Sequence, residues 1–382
     1  MKVFIVTHHA KSLLNFRGQL LSEFVEAGHD VTVCAPENHS EFFEKFSEMG
    51  ISFITFPLVR NGMNPIKDLY ALQFLTRILS QEKPDVVFSS STKPVIYGSL
   101  AARLAGVPKV YSMLSGVGYA FIEMGFKRKL INLVVRILFR QALKNNVSVF
   151  FQNPDDRDLF VRLGLVCQEQ TVLINGSGVD LEHFHPVPVP QNDPVFLLIC
   201  RLVKDKGVVE YVEAARIIKS RYPKVTFNLL GPLDVNNPSA ISKSQIEKWH
   251  QEGVIHYCGE TEDVRPFLYA ASVFVLPSYY EGTPHSTLEA MATGLPILTT
   301  DVAGCRETVI HGKNGFLVPL RDENALVKAM ERFILDPDLI SKMGETSREI
   351  VVNKYDIHQV NARIIAVMGL EKEKTPRYSS QQ

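Results

Sequence analysis

Short hydrophobic runs alternate with longer amphipathic stretches along most of this chain of 382 residues. The run Val-Thr-Val-Cys-Ala at 31–35 is continuous rather than alternating, which is typical of strands buried on both faces of a parallel sheet. Stretches with helical spacing lie between such runs, for example at 14–26 and 66–82. The predicted strands are 2–7, 31–35, 52–57, 85–89, 108–113, 147–152, 171–174, 195–200, 225–230, 254–258, 272–277 and 296–300. This order predicts an α/β fold with doubly wound parallel sheets.

A proline-rich segment interrupts this alternation near the middle of the chain. Residues 183–194 read His-Phe-His-Pro-Val-Pro-Val-Pro-Gln-Asn-Asp-Pro, and prolines at this density end regular structure. We therefore predict two Rossmann-like domains, an N-terminal one at 1–186 and a C-terminal one at 187–355. Because such sheets bind ligands at the carboxyl ends of their strands, we expect the substrate in the cleft between the domains.

Composition places the chain among ordinary globular proteins, with 46% hydrophobic residues and equal numbers, 41 each, of basic and acidic residues. This balance gives no support for a nucleic-acid partner. The odd number of cysteines, five, favours free thiols in a reducing compartment. No apolar run is long enough to span a membrane, and the first residues do not resemble a signal peptide. We expect a cytoplasmic protein without a transmembrane helix.

The segment Glu281–Glu289, Glu-Gly-Thr-Pro-His-Ser-Thr-Leu-Glu, lies between a predicted strand and a predicted helix. Gly282 lets the backbone approach a ligand, and the N–H groups near Ser286 and Thr287 would open a helix that can bind phosphate. The two glutamates would then lie about two helical turns apart on a similar side. The alternative is a helix-start acid followed by a solvated helical residue, and spacing alone does not decide between them.

A basic loop, Arg-Leu-Val-Lys-Asp-Lys-Gly at 201–207, follows the predicted strand at 195–200. Arginine offers a planar fork of donors and lysine a point charge, so Arg201 and Lys206 can neutralise a diphosphate. A solvated charged loop is the alternative. This alternative is less favoured, because the basic loop and the Glu281–Glu289 segment follow strands of the same predicted domain.

Two further patterns are weak. The Gly-x-Gly pairs at 116–118 and 176–178 lack the third glycine and the acidic residue of a dinucleotide fingerprint, which argues against an NAD(P) site. His8 and His9 have no cluster of partner ligands, which argues against a metal site. Two interpretations of His8 stay open: a loop residue near an acceptor, and a solvated loop residue.

The segment 125–146 contains six basic residues and no acidic one. Polar residues that recur every three or four positions would form one stripe of a helix, with apolar residues covering the rest. They are Lys129, Asn132, Arg136, Arg140 and Lys144. One interpretation is an interfacial helix on anionic lipid, where each basic residue contributes about 1 kcal/mol. The other is a core helix with a solvated basic face. The residues expected to face the membrane are Lys127, Arg128, Lys129, Arg136 and Arg140.

In combination, these motifs resemble the retaining glycosyltransferase family 4 of GT-B fold, over nearly the whole chain. The motifs are Glu281–Glu289, Arg201 with Lys206-Gly207, Gly231-Pro232, Gly294-Leu295-Pro296, His311–Pro319, and Asn175–Asp180 with Phe184-His-Pro186. The resemblance implies two Rossmann-like domains facing each other across a cleft. It also implies a C-terminal helix at about 356–372 that packs back on the N-terminal domain.

The resemblance implies roles for individual residues. The C-terminal domain would bind a nucleotide-diphospho-sugar without metal or cofactor, because the charges of Arg201 and Lys206 substitute for a metal at the diphosphate. Glu289 would accept from the ribose hydroxyls, and Glu281 would contact the sugar. The implied donor site is Arg201, Lys206, Gly231, Glu281, Gly282, Thr283, Ser286, Thr287 and Glu289, with Arg201, Lys206 and Glu281 as catalytic residues. The implied acceptor side is His8, Arg17, Ser115, Gly116 and Gly118.

The N-terminal half narrows the resemblance. The segments 7–9, 14–17 and 114–121 resemble transferases that extend polyprenyl-diphosphate-linked glycans, and within them a branch that adds α-1,3-linked N-acetylgalactosamine in bacterial surface polysaccharide or glycoprotein synthesis. This implies a UDP-sugar donor, UDP-GalNAc first and UDP-GlcNAc second, and a lipid-linked glycan acceptor. It also implies a peripheral position on the cytoplasmic face of the cell membrane, on its anionic surface.

One departure from the family pattern is visible. Many family members carry a histidine near 115–118, close to the donor sugar, and this chain has none there, so that role is not carried over. The rival functions are a nucleotide-sugar epimerase of similar build, a non-catalytic sugar-nucleotide-binding subunit, and a family 4 transferase with a different donor sugar.

Overall fold

The chain folds into two compact units, each a parallel sheet flanked by helices, so the predicted α/β class is confirmed. The first unit comprises 1–151, 156–174 and the chain from 361 onward, and the second comprises 152–155 and 175–360. The computed structural model describes residues 1–37, 39–58, 64–116, 126–188, 193–235 and 237–372, with 126–130 described by their backbone alone.

The first unit has a seven-stranded parallel sheet in the order β3-β2-β1-β4-β5-β6-β7. Its strands are β1 (Lys2–Val6), β2 (Asp30–Ala35), β3 (Ser52–Thr55), β4 (Val86–Ser90), β5 (Lys109–Leu114), β6 (Ser148–Phe151) and β7 (Thr171–Leu173). Its helices are α1 (Ala10–Glu26), α2 (Ser40–Glu48), α3 (Pro65–Glu82), α4 (Thr92–Leu104), α5 (Phe126–Leu143) and α6 (Pro154–Arg162). The central strands are buried on both faces, as their continuous apolar runs predict.

The second unit has a six-stranded parallel sheet in the order β10-β9-β8-β11-β12-β13. Its strands are β8 (Val195–Ile199), β9 (Thr226–Leu230), β10 (His256–Tyr257), β11 (Val273–Leu276), β12 (Ile297–Thr300) and β13 (Gly315–Val318). Its helices are α7 (Val208–Arg221), α8 (Lys243–Gln251), α9 (Arg265–Tyr269), α10 (His285–Ala292), α11 (Glu323–Leu335), α12 (Asp338–Lys354) and α13 (Ile357–Met368), which continues into the first unit.

The division between the units falls after Ile174 and not after the predicted 186. The intervening segment is bonded to the second unit. The N–H of Val179 donates to the carbonyl of Tyr355 at 2.8 Å, and Arg348 Nη1 donates to the carbonyl of Phe184 at 3.0 Å. The prolines mark where regular structure ends, but these bonds decide to which unit the preceding residues belong.

The last helix returns to the first unit. From Asn361 onward its residues group with the first sheet, and Asn361 Nδ2 donates to Glu23 Oε1 on α1 at 2.9 Å. Beyond the helix, the ring of His29 lies 2.9 Å from the carbonyl of Leu370, whose side chain is fully buried. The end of the described chain is therefore a structural part of the first unit.

Candidate active site

The second sheet has a topological switch point at β8 and β11. From β8 the chain continues outward through β9 and β10, whereas β11 lies on the other side of β8 and leads to β12 and β13. The loops after β8 and β11 therefore diverge and leave a crevice at the carboxyl ends of the strands, where sheets of this type bind ligands. Arg201 and Lys206 follow β8, and Glu281 follows β11.

Lys206 and Glu281 join these two loops. Lys206 Nζ donates to Glu281 Oε1, and Ser278 Oγ donates to the same oxygen at 2.8 Å. The side chains of Lys206 and Glu281 are 20% and 11% exposed, so the pair is largely withdrawn from solvent. The N–H of Tyr279 adds a bond between the loops by donating to the carbonyl of Asp205 at 2.9 Å. The crevice therefore contains an ammonium group in a fixed position.

Arg201 is the more open cation. Its side chain is 46% exposed, and its Nη1 donates to Asp234 Oδ2 at 2.8 Å. Asp234 follows Gly231 in the loop after β9. Gly231 has φ +142°, and a side chain at this position would collide with the carbonyl oxygen of Cys200, so only glycine lets the two strand ends approach. Asp234 could not be predicted as a partner of Arg201, since its only signal in the sequence is an acidic residue shortly after the Gly-Pro motif.

The helix after Glu281 begins at His285, and this corrects one expectation. Glu281 lies in the loop before α10, so the two glutamates do not share a helix, and the prediction that they lie two turns apart on one side is wrong. Glu289 lies on α10 and contacts the ring of His285, one turn earlier, at 3.0 Å. The structure therefore gives the two carboxylates different partners and different environments.

The start of α10 offers backbone donors more readily than hydroxyls. Pro284 precedes it and provides no side-chain cap. Ser286 Oγ donates to the carbonyl of Ile199 at 3.1 Å, while Thr287 is fully buried and its hydroxyl has no hydrogen-bond partner. The N–H groups of the first helical turn remain the natural ligands for a phosphate at this end.

Gly282 and Thr283 fix the loop through bonds to the short segment 152–155 of the same unit. Asn153 Nδ2 donates to the carbonyl of Gly282 at 3.0 Å, and Thr283 Oγ1 donates to the carbonyl of Gln152 at 3.0 Å. Gly304, with φ +79°, packs so closely on the carbonyls of Glu281 and Gly282 that a side chain there would collide with them. These contacts hold the loop backbone in one conformation.

The two thiols next to this site are not nucleophiles. Burial raises the pKa of Cys200 and of Cys305 to about 12, with the Glu281 carboxylate adding to the effect, so both stay protonated at neutral pH. Within the described residues, no group of three or more His, Cys, Asp or Glu side chains is placed to hold a metal ion. The crevice instead presents two fixed cations, which suits it to stabilise a departing polyanion.

The first sheet has a switch point of the same kind between β1 and β4, with a pocket of about 310 Å³ at the strand ends. Three predicted acceptor-side residues, His8, Ser115 and Gly116, lie together here, and Gly118 lies outside the described residues. The full lining is His8, Leu58, Ser91, Thr92, Lys93, Pro94, Leu114, Ser115 and Gly116. The sequence analysis did not single out Lys93, whose position depends on which strands are neighbours.

Arg17, the other expected acceptor residue, does not line this pocket. It lies on α1, is only 6% exposed, and donates from Nη2 to the sulfur of Met113 at 3.0 Å. Burial lowers its pKa to about 10, so the guanidinium still carries its charge at neutral pH. The structure therefore places Arg17 in the interior of the first unit, where the apolar stripe of α1 packs.

Ser91 has a strained backbone at the edge of the same pocket. Its φ of 79° and ψ of 157° are a combination that glycine adopts readily and other residues avoid. Such strain costs about 1–3 kcal/mol, against which a glycine costs roughly 0.5–1 kcal/mol in backbone entropy. We expect Ser91→Gly to raise the melting temperature by about 1 °C, because the net gain of about 1 kcal/mol is spread over a chain of 382 residues.

Ser91→Ala is the control for this prediction, since it removes the hydroxyl but keeps the strain. Differential scanning calorimetry of the two variants measures the effect. A melting temperature in Ser91→Gly that is equal to or below that of Ser91→Ala would show that the backbone at this position is unstrained.

The basic helix α5 shows an exposed apolar surface. Ile131, Leu133, Val134 and Ile137 are 39–53% exposed, beside the exposed Arg140. The predicted stripe is interrupted, because Asn132 is buried and accepts from Arg136 Nε at 2.8 Å. The side chains of Lys127, Arg128 and Lys129 lie outside the described residues. No helix in the described ranges is both long and apolar enough to cross a bilayer.

Comparison with known protein families divides the chain close to the boundary after Ile174. Residues 16–176 match the family model of the glycosyl transferase 4-like domain, and residues 180–350 match that of glycosyl transferases group 1. The chain is 27% identical over 379 residues to the N,N'-diacetylbacillosaminyl-diphospho-undecaprenol alpha-1,3-N-acetylgalactosaminyltransferase of Campylobacter jejuni, covering 96% of both chains. It is 30% identical over 314 residues to the UDP-Gal:alpha-D-GlcNAc-diphosphoundecaprenol alpha-1,3-galactosyltransferase of Escherichia coli, covering 79% of both.

Solved structures agree on the fold. Sucrose-phosphate synthase from Thermosynechococcus elongatus superimposes with a TM-score of 0.79 at 21% identity, covering 96% of this chain and 98% of its own. HepE of Anabaena, solved in complex with UDP and glucose, superimposes with a TM-score of 0.77 at 17% identity, covering 97% and 99%. With matched domains over both units and a relative at 30% identity, the chain belongs to the group 1 glycosyltransferases of GT-B fold.

Proposed function

We propose that this glycosyltransferase transfers an N-acetylhexosamine, from UDP-GalNAc or UDP-GlcNAc, to a sugar carried on polyprenyl diphosphate, with retention of anomeric configuration and without a divalent metal. The observation that carries the proposal is the pair of fixed cations, Arg201 and Lys206, at the switch point of the second sheet. A nucleotide diphosphate is the leaving group that such a pair stabilises. The relatives named for transfer to undecaprenyl-diphosphate-linked sugars support the acceptor class.

The reaction breaks the bond between the anomeric carbon and the diphosphate, and forms one to an acceptor hydroxyl oxygen. Negative charge develops on the diphosphate, where Arg201, Lys206 and the first-turn N–H groups of α10 stabilise it. The acceptor proton passes to a diphosphate oxygen, so the step needs no strongly acidic side chain. Glu289 binds the ribose, and Glu281 orients Lys206 and contacts the sugar. No cofactor besides the nucleotide-sugar is required.

The two carboxylates that pair with Arg201 and Lys206 affect the binding of the donor. Asp234 and Glu281 hold Arg201 and Lys206 in place when the diphosphate is absent. A diphosphate must compete with these carboxylates. Its binding is favoured because the cations are already in position, and is opposed because part of the existing ion pairs is lost.

The test is a donor panel incubated with polyprenyl-diphosphate-linked sugars and read by mass spectrometry, with and without excess EDTA. We expect UDP-GalNAc to be the preferred donor for the glycosylated lipid and UDP-GlcNAc to be the next best. Turnover should be unchanged by EDTA, and NMR should show an α-linked product. Exclusive use of a GDP-sugar, or recovery from EDTA only with Mg²⁺ or Mn²⁺, would contradict the proposal. Formation of free nucleotide and altered sugar without a lipid product would identify an epimerase instead.

A further inference from the structure

A second cavity lies beside the switch-point pocket of the first unit. It has a volume of about 560 Å³ and is bordered by the chain after β3 and the first half of α3. Its lining is largely apolar, with Phe56, Pro57, Leu58, Tyr70 and Phe74. Leu58 also lines the switch-point pocket, so the two cavities adjoin at this side chain.

The two cavities have opposite character. Polar residues, among them Lys93, His8 and three with hydroxyl side chains, line the switch-point pocket, whereas aromatic and aliphatic groups dominate the neighbouring cavity. Apolar surface continues outward from the second cavity, because Ile66 and Leu69 in the first turns of α3 are 80% and 55% exposed. Apolar side chains this open, next to an apolar cavity, mark a binding surface.

A buried carboxylate on α3 binds Lys93. Asp68 on α3 is 8% exposed and accepts from Lys93 Nζ at 2.8 Å. Its neighbour Lys67 lines the apolar cavity. Burial and Asp68 together raise the pKa of the Tyr97 hydroxyl, which bonds to the same carboxylate. The helix that forms the wall of the apolar cavity therefore also fixes the cation of the polar one.

We propose that the two cavities form one site for an amphiphile, a prenyl diphosphate: the switch-point pocket binds the diphosphate and the cavity at α3 binds the first isoprene units. The inference rests on the proposed function, which supplies the acceptor class. A polar headgroup joined directly to a hydrocarbon matches two adjoining cavities of opposite character. Lys93, held in position by Asp68, donates to the phosphates. Ile66 and Leu69 cover the chain where it leaves the protein.

Direct binding tests the site without catalysis. We titrate farnesyl diphosphate, inorganic diphosphate and farnesol into the full chain by calorimetry, with saturating UDP to occupy the donor site. Farnesyl diphosphate is expected to bind at least roughly tenfold more tightly than the other two, because it alone fills both cavities. Tyr70→Asp and Lys93→Gln should each weaken its binding by about tenfold.

Leu104→Asp is the matched control for Tyr70→Asp. Both side chains are exposed, at 64% and 58%, on helices of the same unit, but Leu104 lies at the far end of α4 and lines neither cavity. Tyr70→Asp is expected to weaken farnesyl diphosphate binding, and Leu104→Asp to leave it unchanged. Equal binding by the two variants, or binding of farnesyl diphosphate no tighter than that of inorganic diphosphate, would overturn the inference.

Binding and sugar transfer, measured with the same proteins, test this inference and the proposed function separately. Sugar transfer to a lipid-linked acceptor without selective binding of farnesyl diphosphate would reject the amphiphile site alone. Selective binding without sugar transfer from any donor would reject the proposed transferase reaction alone. In wild type, the lipid-linked acceptor should have a lower KM than a short-chain soluble analogue, and Tyr70→Asp should remove that preference.

Discussion

Lys206→Ala should lower kcat/KM by roughly 2–4 kcal/mol in transition-state terms, or about thirty- to a thousandfold, because it removes one charge from a partly desolvated pair. The substitution slows the step in which the diphosphate departs, because the negative charge that Lys206 stabilises is largest in that step. It also leaves Glu281, 11% exposed, without its cation and closer to the departing anion. Initial rates over a range of UDP-sugar concentrations measure the change.

Lys204→Ala is the matched control, since Lys204 lies two positions earlier in the same loop, is exposed, and bonds through its backbone to Ser239. We expect near wild-type kinetics from it. Wild-type kcat/KM in Lys206→Ala, or an equal loss in both variants, would show that the donor diphosphate binds elsewhere. Arg201→Ala should fall in the same range as Lys206→Ala.

Reversing the two described basic residues of α5, Arg136→Glu with Arg140→Glu, should release the protein from anionic vesicles. Each basic residue near such a surface contributes about 1 kcal/mol, and its reversal removes this and adds a similar repulsion. The double variant should therefore bind about 4 kcal/mol more weakly, roughly a thousandfold at low salt. We expect the apolar part of this contact to come from four exposed side chains, Ile131, Leu133, Val134 and Ile137.

Sedimentation with vesicles of anionic and of neutral lipid measures the partition. Wild-type binding should weaken as salt rises, because screening shortens to about 8 Å near physiological ionic strength. Lys328→Glu with Lys342→Glu changes the net charge equally on exposed positions of the second unit and should sediment like wild type. If the α5 variant also sediments like wild type, membrane contact lies elsewhere.

Most of the fold could be predicted from local patterns, because the buried strands are short apolar runs. The strand at Gly315–Val318 was not predicted, since its residues were assigned to the His311–Pro319 motif, although Phe316 and Val318 are buried like those of the other strands. The unit boundary was misplaced because prolines indicate a break in regular structure, whereas the bonds of Val179 and Arg348 depend on tertiary neighbours.

Candidate site residues could be named from the sequence where a motif stands on one loop. Arg201, Lys206 and Glu281 come from such motifs, and the structure brings the two loops together at adjacent strands. Asp234 and Lys93 could not be predicted, because each is positioned by an ion pair with a residue distant in sequence. Asp234 pairs with Arg201, and Lys93 pairs with Asp68. The burial of Arg17 could not be predicted, because nothing in the sequence shows that this charge lies in the interior beside Met113.

The return of the last helix to the first unit sets an order of events during synthesis. A ribosome releases the strands of the first sheet early, yet Ile364, Met368 and Leu370, all fully buried, leave it only after the whole second unit has been made. Until then the surface around His29 and Tyr111 has no cover. The unit that is translated first is therefore the one completed last, and any chain ending before 361 retains an unfinished first unit.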